Sequence, residues 1–177
     1  VQIPFQFLPI GEIRYDVSAG RIASESLGWS DQLTMSTSNI SMGMTNWLTG
    51  SLGIEYYENS NRDRPALSGK LSSRVFGDIL VNLDAALMNY YRISVRGVGP
   101  NTSSFSMDHT YYEGKNIHNP LGLKHSLNVN FFYPFKVGST RLTGRSSFSW
   151  AQGIDKNQYR LNLDVNQFFR GLRLRYA

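Results

Sequence analysis

Three histidines, His109, His118 and His125, together with many serines are the residues whose types could support nucleophilic chemistry, a histidine taking the proton of an attacking hydroxyl. Neighbours on an extended strand leave on opposite faces, which separates Ser126 from His125. His109 shares its phase with Phe105, Met107 and Tyr111, and so falls on an apolar face near a strand end, beside Asp108. The spacing disfavours the Ser126–His125 pair and singles out no other. No histidine has a partner two residues away or an acidic cluster beside it, and the chain has no cysteine. No metal site and no cofactor are therefore expected. Gly97-Val98-Gly99-Pro100 lacks the following helix that a phosphate-cradling loop needs.

The basic residues carry more information. Lys70, Arg74, Arg92, Arg96, Arg141, Arg145, Arg160, Arg173 and Arg175 occupy the polar phase of their segments, with Glu12, Asp16, Glu55, Asp84 and Asp164 as the acidic counterparts. A passage lined this way attracts anions through its summed potential, or else is filled by arginine–carboxylate pairs. The expected lining set is Lys70, Arg74, Arg92, Arg96, Arg141, Arg145 and Arg160 with Asp84 and Asp164. Nucleic acid is not an expected partner, because these cations spread over many segments instead of gathering in one patch.

Apolar residues recur with a period of two. Across Gln158-Tyr159-Arg160-Leu161-Asn162-Leu163-Asp164-Val165-Asn166 the alternation has no exception, and it returns with Tyr91, Ile93 and Val95 and with Leu172, Leu174 and Tyr176. Ile13, Tyr15 and Val17; Leu67, Leu71 and Val75; Ile79 to Leu87; Leu127 to Tyr133; and Leu142, Phe148 and Trp150 follow the same rule. Turn signals separate these runs at Ser30-Asp31, Thr45-Asn46, Asn59 to Pro65, Gly77-Asp78, Gly99 to Asn101, Lys136 to Ser139 and Gly153 to Asn157. The resulting strands have about nine to eleven residues, the length of a tilted membrane-crossing strand rather than the five or six common in soluble sandwiches.

The chain of 177 residues fits one domain over 1–177, with 18 basic and 13 acidic residues and a formal charge of +5. No run approaches the ~18 apolar residues of a membrane helix, and Val1-Gln2-Ile3-Pro4 has no basic and apolar leader pattern. About ten to twelve strands are expected, in an all-β antiparallel transmembrane barrel or part of a larger one. Aromatic residues at strand ends fit interfacial belts: Trp29, Trp47, Tyr56-Tyr57, Tyr90-Tyr91, Tyr111-Tyr112, Tyr133, Trp150, Phe168-Phe169 and Tyr176. Gly50, Gly53, Gly69, Gly97 and Gly144 would allow curvature.

Gly28-Trp29-Ser30-Asp31-Gln32-Leu33-Thr34 echoes Gly43-Met44-Thr45-Asn46-Trp47-Leu48-Thr49, as a turn repeated between neighbouring strands would. With Leu8-Pro9-Ile10-Gly11, Tyr15-Asp16-Val17-Ser18-Ala19-Gly20 and Gly53-Ile54-Glu55-Tyr56, this region over about 1–57 resembles the barrel wall of fimbrial ushers. The resemblance implies a Gram-negative outer-membrane wall and a protein-secreting pore, and assigns no functional residue.

Residues 58–65 and 114–124 break the alternation and read as long loops on one rim, extracellular in such barrels, with the turns at Gly77-Asp78 and Lys136 to Ser139 on the periplasmic rim. Four strands between the two loops satisfy the even number that this arrangement requires. The function expected is a passive porin-like pore or translocation-channel wall in the bacterial outer membrane. Its expected partners are membrane lipid and either small anionic solutes or a translocated protein. A lipid-modifying hydrolase and a filled structural or adhesion barrel are the alternatives.

Overall fold

The computed structural model describes residues 7–22, 33–57, 65–114, 119, 121–138, 140–153, 156–169 and 172–176. Its strands are β1 (Ile13–Ile22), β2 (Leu33–Thr45), β3 (Leu48–Tyr57), β4 (Ala66–Val75), β5 (Ile79–Ala86), β6 (Tyr90–Val98), β7 (Ser104–Tyr112), β8 (His125–Val137), β9 (Thr140–Gln152), β10 (Asn157–Phe169) and β11 (Leu172–Tyr176). They form one eleven-stranded sheet in chain order, every neighbouring pair antiparallel. The all-β expectation holds, and eleven lies within the expected ten to twelve.

The register carries the alternation from strand to strand, because directly paired residues share a face. One row runs Leu71, Leu83, Ile93, His109, Leu127, Trp150 and Tyr159. The row beside it runs Lys70, Asp84, Arg92, Thr110 and Ser126. Every Asp, Glu, Lys and Arg with a described side chain in a strand falls on the second face, nine basic residues against five acidic ones.

Among the described residues the main contacts between elements join strands that are neighbours in the sheet, with the short turn at Pro100–Thr102 lying against β8. The described part of the molecule is thus a single layer, with no second sheet or helix to cover a face. Burial is inverted relative to a water-soluble sheet. On the polar face Ser72, Asn82, Ser94, Thr110 and Asn166 are buried, whereas Leu52, Leu83, Phe131, Leu161 and Leu163 on the apolar face are exposed. The protein segment that does lie over a face lies over the polar one. Phe7 sits against the Arg74 guanidinium at 5.2 Å, the Leu8 amide donates to Thr49 Oγ1 at 3.3 Å, and Leu8 is buried. Gly43 makes this possible, since any Cβ there would strike the carbonyl oxygens of Leu8 and Pro9.

Three expectations are corrected. The sheet does not close: among the described residues β1 and β11 are its two edges, and no pairing joins them. β11 has only five residues and covers only Val165–Phe169 of β10. Strand lengths also spread beyond nine to eleven, from eight in β5 to thirteen in β2, β8, β9 and β10. Leu87 leaves the strand at its turn, where Met88 takes φ 64° and Asn89 donates its amide to the Ala86 carbonyl. No glycine or proline marks that turn, although the expected boundary between the two strands falls at the same place.

The turns expected at Thr45-Asn46, Gly77-Asp78 and Gly99 to Asn101 match, whereas Ser30-Asp31 and Asn59 to Arg64 lie outside the described residues. Gly77 (φ 72°) and Gly138 (φ 61°) supply the left-handed conformation their tight connections require. Residues 58–65 and 113–124 join strands at one rim, together with 87–89 and 153–156, and residues 46–47, 76–78, 99–103 and 138–139 join strands at the other. Four strands, β4 to β7, separate the two long connections. The first copy of the turn echo, through Gln32, lies outside the described residues, as does His118. The second copy is the two-residue β2–β3 connection at Asn46-Trp47.

Candidate functional site: the polar face

The charged residues are placed by strands whose outward positions are apolar, so pleating alone sends them to one side. Lys70, Asp84 and Arg92 stand directly opposite one another on β4, β5 and β6, a basic–acidic–basic row across three strands. Arg92 donates from Nε to Thr110 Oγ1 at 3.1 Å, and its guanidinium lies 5.1 Å from the Tyr90 ring centroid. Tyr90 in turn donates its hydroxyl to Asp84, at 3.3 and 3.4 Å to the two carboxylate oxygens. Arg74 and Arg96 flank the buried Leu80 one row group further on. Arg96 reaches Asp108 at 4.0 Å, with both side chains partly exposed. A pair of that kind contributes little stability, at most about 1 kcal/mol.

A second group gathers on β6 to β10. Arg145 faces Asp164 and Phe132 in direct register, and its guanidinium lies 5.5 Å from the Phe132 ring centroid. Arg96, Arg145 and Asp164 line a hollow of about 500 Å³ together with Ser106, Asn130 and the rings of Phe105, Phe131 and Phe132.

The expected lining set is therefore divided by the register. Lys70, Asp84 and Arg92 form one cluster, and Arg96, Arg145 and Asp164 share the hollow. Arg74 stands beside Leu80, Arg160 opposite Ser149, and Arg141 opposite Lys136 near the short-turn rim, a like-charge pair without an intervening carboxylate. Arg173 and Arg175 pair through their backbones with Phe168 and Asn166. Among the residues with described side chains, Tyr90, Tyr112 and Phe132 stand on this face, the two tyrosines against their expected place in the belts. Their phase is that of Arg92 and Asn130, so the alternation was enough to find them.

Most of the aromatics on the apolar face fall in two bands, with Phe148 between them. Tyr56, Tyr91, Tyr111, Trp150 and Tyr159 mark the rim with the long connections, and Phe105, Phe131, Tyr133 and Phe135 the other. Tyr91 and Tyr111 stack at 6.3 Å, and Tyr133 and Phe135 at 6.4 Å. From His125 to Tyr133 the strand rises eight residues, about 27 Å at ~3.4 Å each, or about 21 Å of height at a ~40° tilt.

Both described histidines belong to the first band. His109 stacks on His125 at 5.5 Å, and His125 lies 5.1 Å from Tyr111 and 6.0 Å from Trp150. Their proximity comes from cross-strand register, which local spacing does not reveal. Ser126 is on the opposite face, as expected, and no group of three or more metal-ligating residues occurs among the described residues. Comparison with known protein families, curated proteins and solved structures finds no match to this chain.

Proposed function

We propose that this chain is part of the wall of a bacterial outer-membrane β-barrel, with its apolar face toward lipid and its polar face toward a passage that favours anions. The observation that carries the reading is the inverted single layer. In water, an uncovered sheet face bearing Leu52, Leu83, Phe131, Leu161 and Leu163 would be an aggregation surface far larger than monomers tolerate. In a bilayer that face needs no covering, and the two aromatic bands lie near the headgroup levels of a band about 25 Å tall.

The passage side is polar, hydrogen-bonded and net basic by four charges in the described strands. These residues carry no chemistry of their own, and the role that fits them is passive conduction or the guiding of a translocated chain. Planar-bilayer recording tests this. Conductance with anion preference is expected, and replacing Arg92, Arg96, Arg141 and Arg145 by Gln should reverse or abolish the preference. Insertion without measurable conductance would favour a wall whose interior is filled, a reading that the Arg96–Asp108 and Tyr90–Asp84 contacts support.

A further inference from the structure

Pro9-Ile10-Gly11-Glu12 forms a tight turn ahead of β1. The Glu12 amide donates to the Pro9 carbonyl at 3.0 Å, and Gly11 takes φ 77°, the left-handed conformation that favours glycine at the third position of such a turn. The chain N-terminal to the turn, Phe7–Pro9, is thereby folded back over the polar face. Two further backbone bonds fix the turn to β2, from the Gly11 amide to the Gly43 carbonyl at 2.9 Å and from the Gly43 amide to the Glu12 carbonyl at 3.0 Å.

Beyond the turn the hold is slight. The segment passes from Gly43 on β2 over Thr49 on β3 to Arg74 on β4, two strand spacings or about 10 Å. Its attachments are the Leu8 amide on the Thr49 hydroxyl, the Phe7 ring on the Arg74 guanidinium and the burial of Leu8, whereas the strands beneath are held by continuous backbone ladders. Contacts of this kind release at far lower cost than a ladder does. The segment is also foreign to its seat, because Phe7 and Leu8 are apolar and the face below them carries Ser72, Asn82 and Ser94. Apolar side chains set over a water-filled passage make a constriction that ions cross poorly.

We infer that Phe7–Glu12 is a strap that narrows the passage, and that Gly43 is the position that seats it. Gly43 lies two residues from the end of β2, which puts the constriction at the rim with the short connections. Lifting the strap bares Arg74 to the passage. This inference rests on the membrane-wall reading.

The test uses the full chain in planar bilayers and lipid vesicles. Gly43→Val puts a side chain where the carbonyl oxygens of Leu8 and Pro9 lie, and should raise single-channel conductance about twofold or more. Thr49→Val removes the acceptor of the Leu8 amide without adding bulk under the strap, and should shift conductance in the same direction. Seating is read by labelling, since the chain has no native cysteine. Leu8→Cys should react with a water-soluble maleimide at least about tenfold more slowly than Ile10→Cys, at a position of the same strap that is 63% exposed, and adding Thr49→Val should narrow that difference. Equal labelling of the two cysteines in chains that retain Gly43 and Thr49 would overturn the inference. So would conductance that neither Gly43→Val nor Thr49→Val alters, including a chain that inserts and conducts nothing in any of these forms. If Gly43→Val fails to insert, Thr49→Val and the labelling decide. A parent chain that folds as a monomer in buffer without detergent would instead sink the membrane-wall reading, which separates the two failures.

Discussion

Tyr90 donates its hydroxyl to Asp84 on the polar face, at 3.3 Å to the nearer oxygen, while the adjacent Tyr91 stands on the opposite face in a stack with Tyr111. Neighbouring tyrosines thus do different work. Tyr90→Phe should destabilise the folded protein by about 1 kcal/mol, since Asp84 loses a donor. Tyr159→Phe, on the exposed face, should change stability by less than about 0.5 kcal/mol. Urea titration of the protein folded into lipid vesicles measures both, and equal losses would contradict the assignment of faces.

Leu161 and Asn162 are consecutive on β10 and face opposite ways. Leu161→Arg should cost about 2–4 kcal/mol if the residue lies near the bilayer midplane, because a guanidinium would enter hydrocarbon. Asn162→Arg should be close to neutral, since Asn162 donates to Ser147 Oγ at 3.1 Å on a face already rich in arginine. The same vesicle titration distinguishes them, and similar losses at both positions would argue against lipid on the apolar side.

The Phe105 ring lies over Gly97 in the next strand, occupying the space a side chain there would need. Gly97→Leu should therefore displace the ring and destabilise by about 1–3 kcal/mol. Gly69 is different, because a Cβ there would meet Leu52 Cδ2 at an ordinary 3.8 Å. Gly69→Ala should be neutral or stabilise by up to about 1 kcal/mol through reduced freedom of the unfolded chain. Thermal melting of the two variants side by side checks the ordering.

Trp150 provides an optical test of which face meets lipid. With Trp29→Phe and Trp47→Phe removing the other two indoles, the remaining fluorescence comes from a residue on the apolar face in the aromatic band beside His125. Lipids brominated near the headgroup end of the acyl chain should quench it more strongly than lipids brominated at the chain terminus, as an interfacial position requires. Quenching by aqueous iodide alone would place the apolar face in water.

Much of the fold was legible in the sequence because a pleated strand writes its two faces into every second residue. The unbroken alternation from Gln158 to Asn166 located β10, and the phase of Lys70, Arg92 and Arg145 assigned them to one face without knowledge of their neighbours. Phase would also have moved Tyr90 and Tyr112 from the belts to the polar face.

Other features depend on how strands are set against each other, which no local pattern encodes. Register, determined by the connections between strands, brings His109 onto His125 and Arg96 and Arg145 into one hollow. The turn at Leu87–Asn89 forms without glycine or proline because the Leu67 carbonyl on β4 accepts the Leu87 amide and the neighbouring strands hold the ends. The seating of Leu8 on the polar face needs Gly43, distant in sequence, to admit two carbonyl oxygens. Alternation by itself therefore determined which residues are polar-facing and which apolar-facing. Only the tertiary structure decided that the apolar side is left bare and the sheet left open, because covering and closure depend on contacts between elements far apart in the chain.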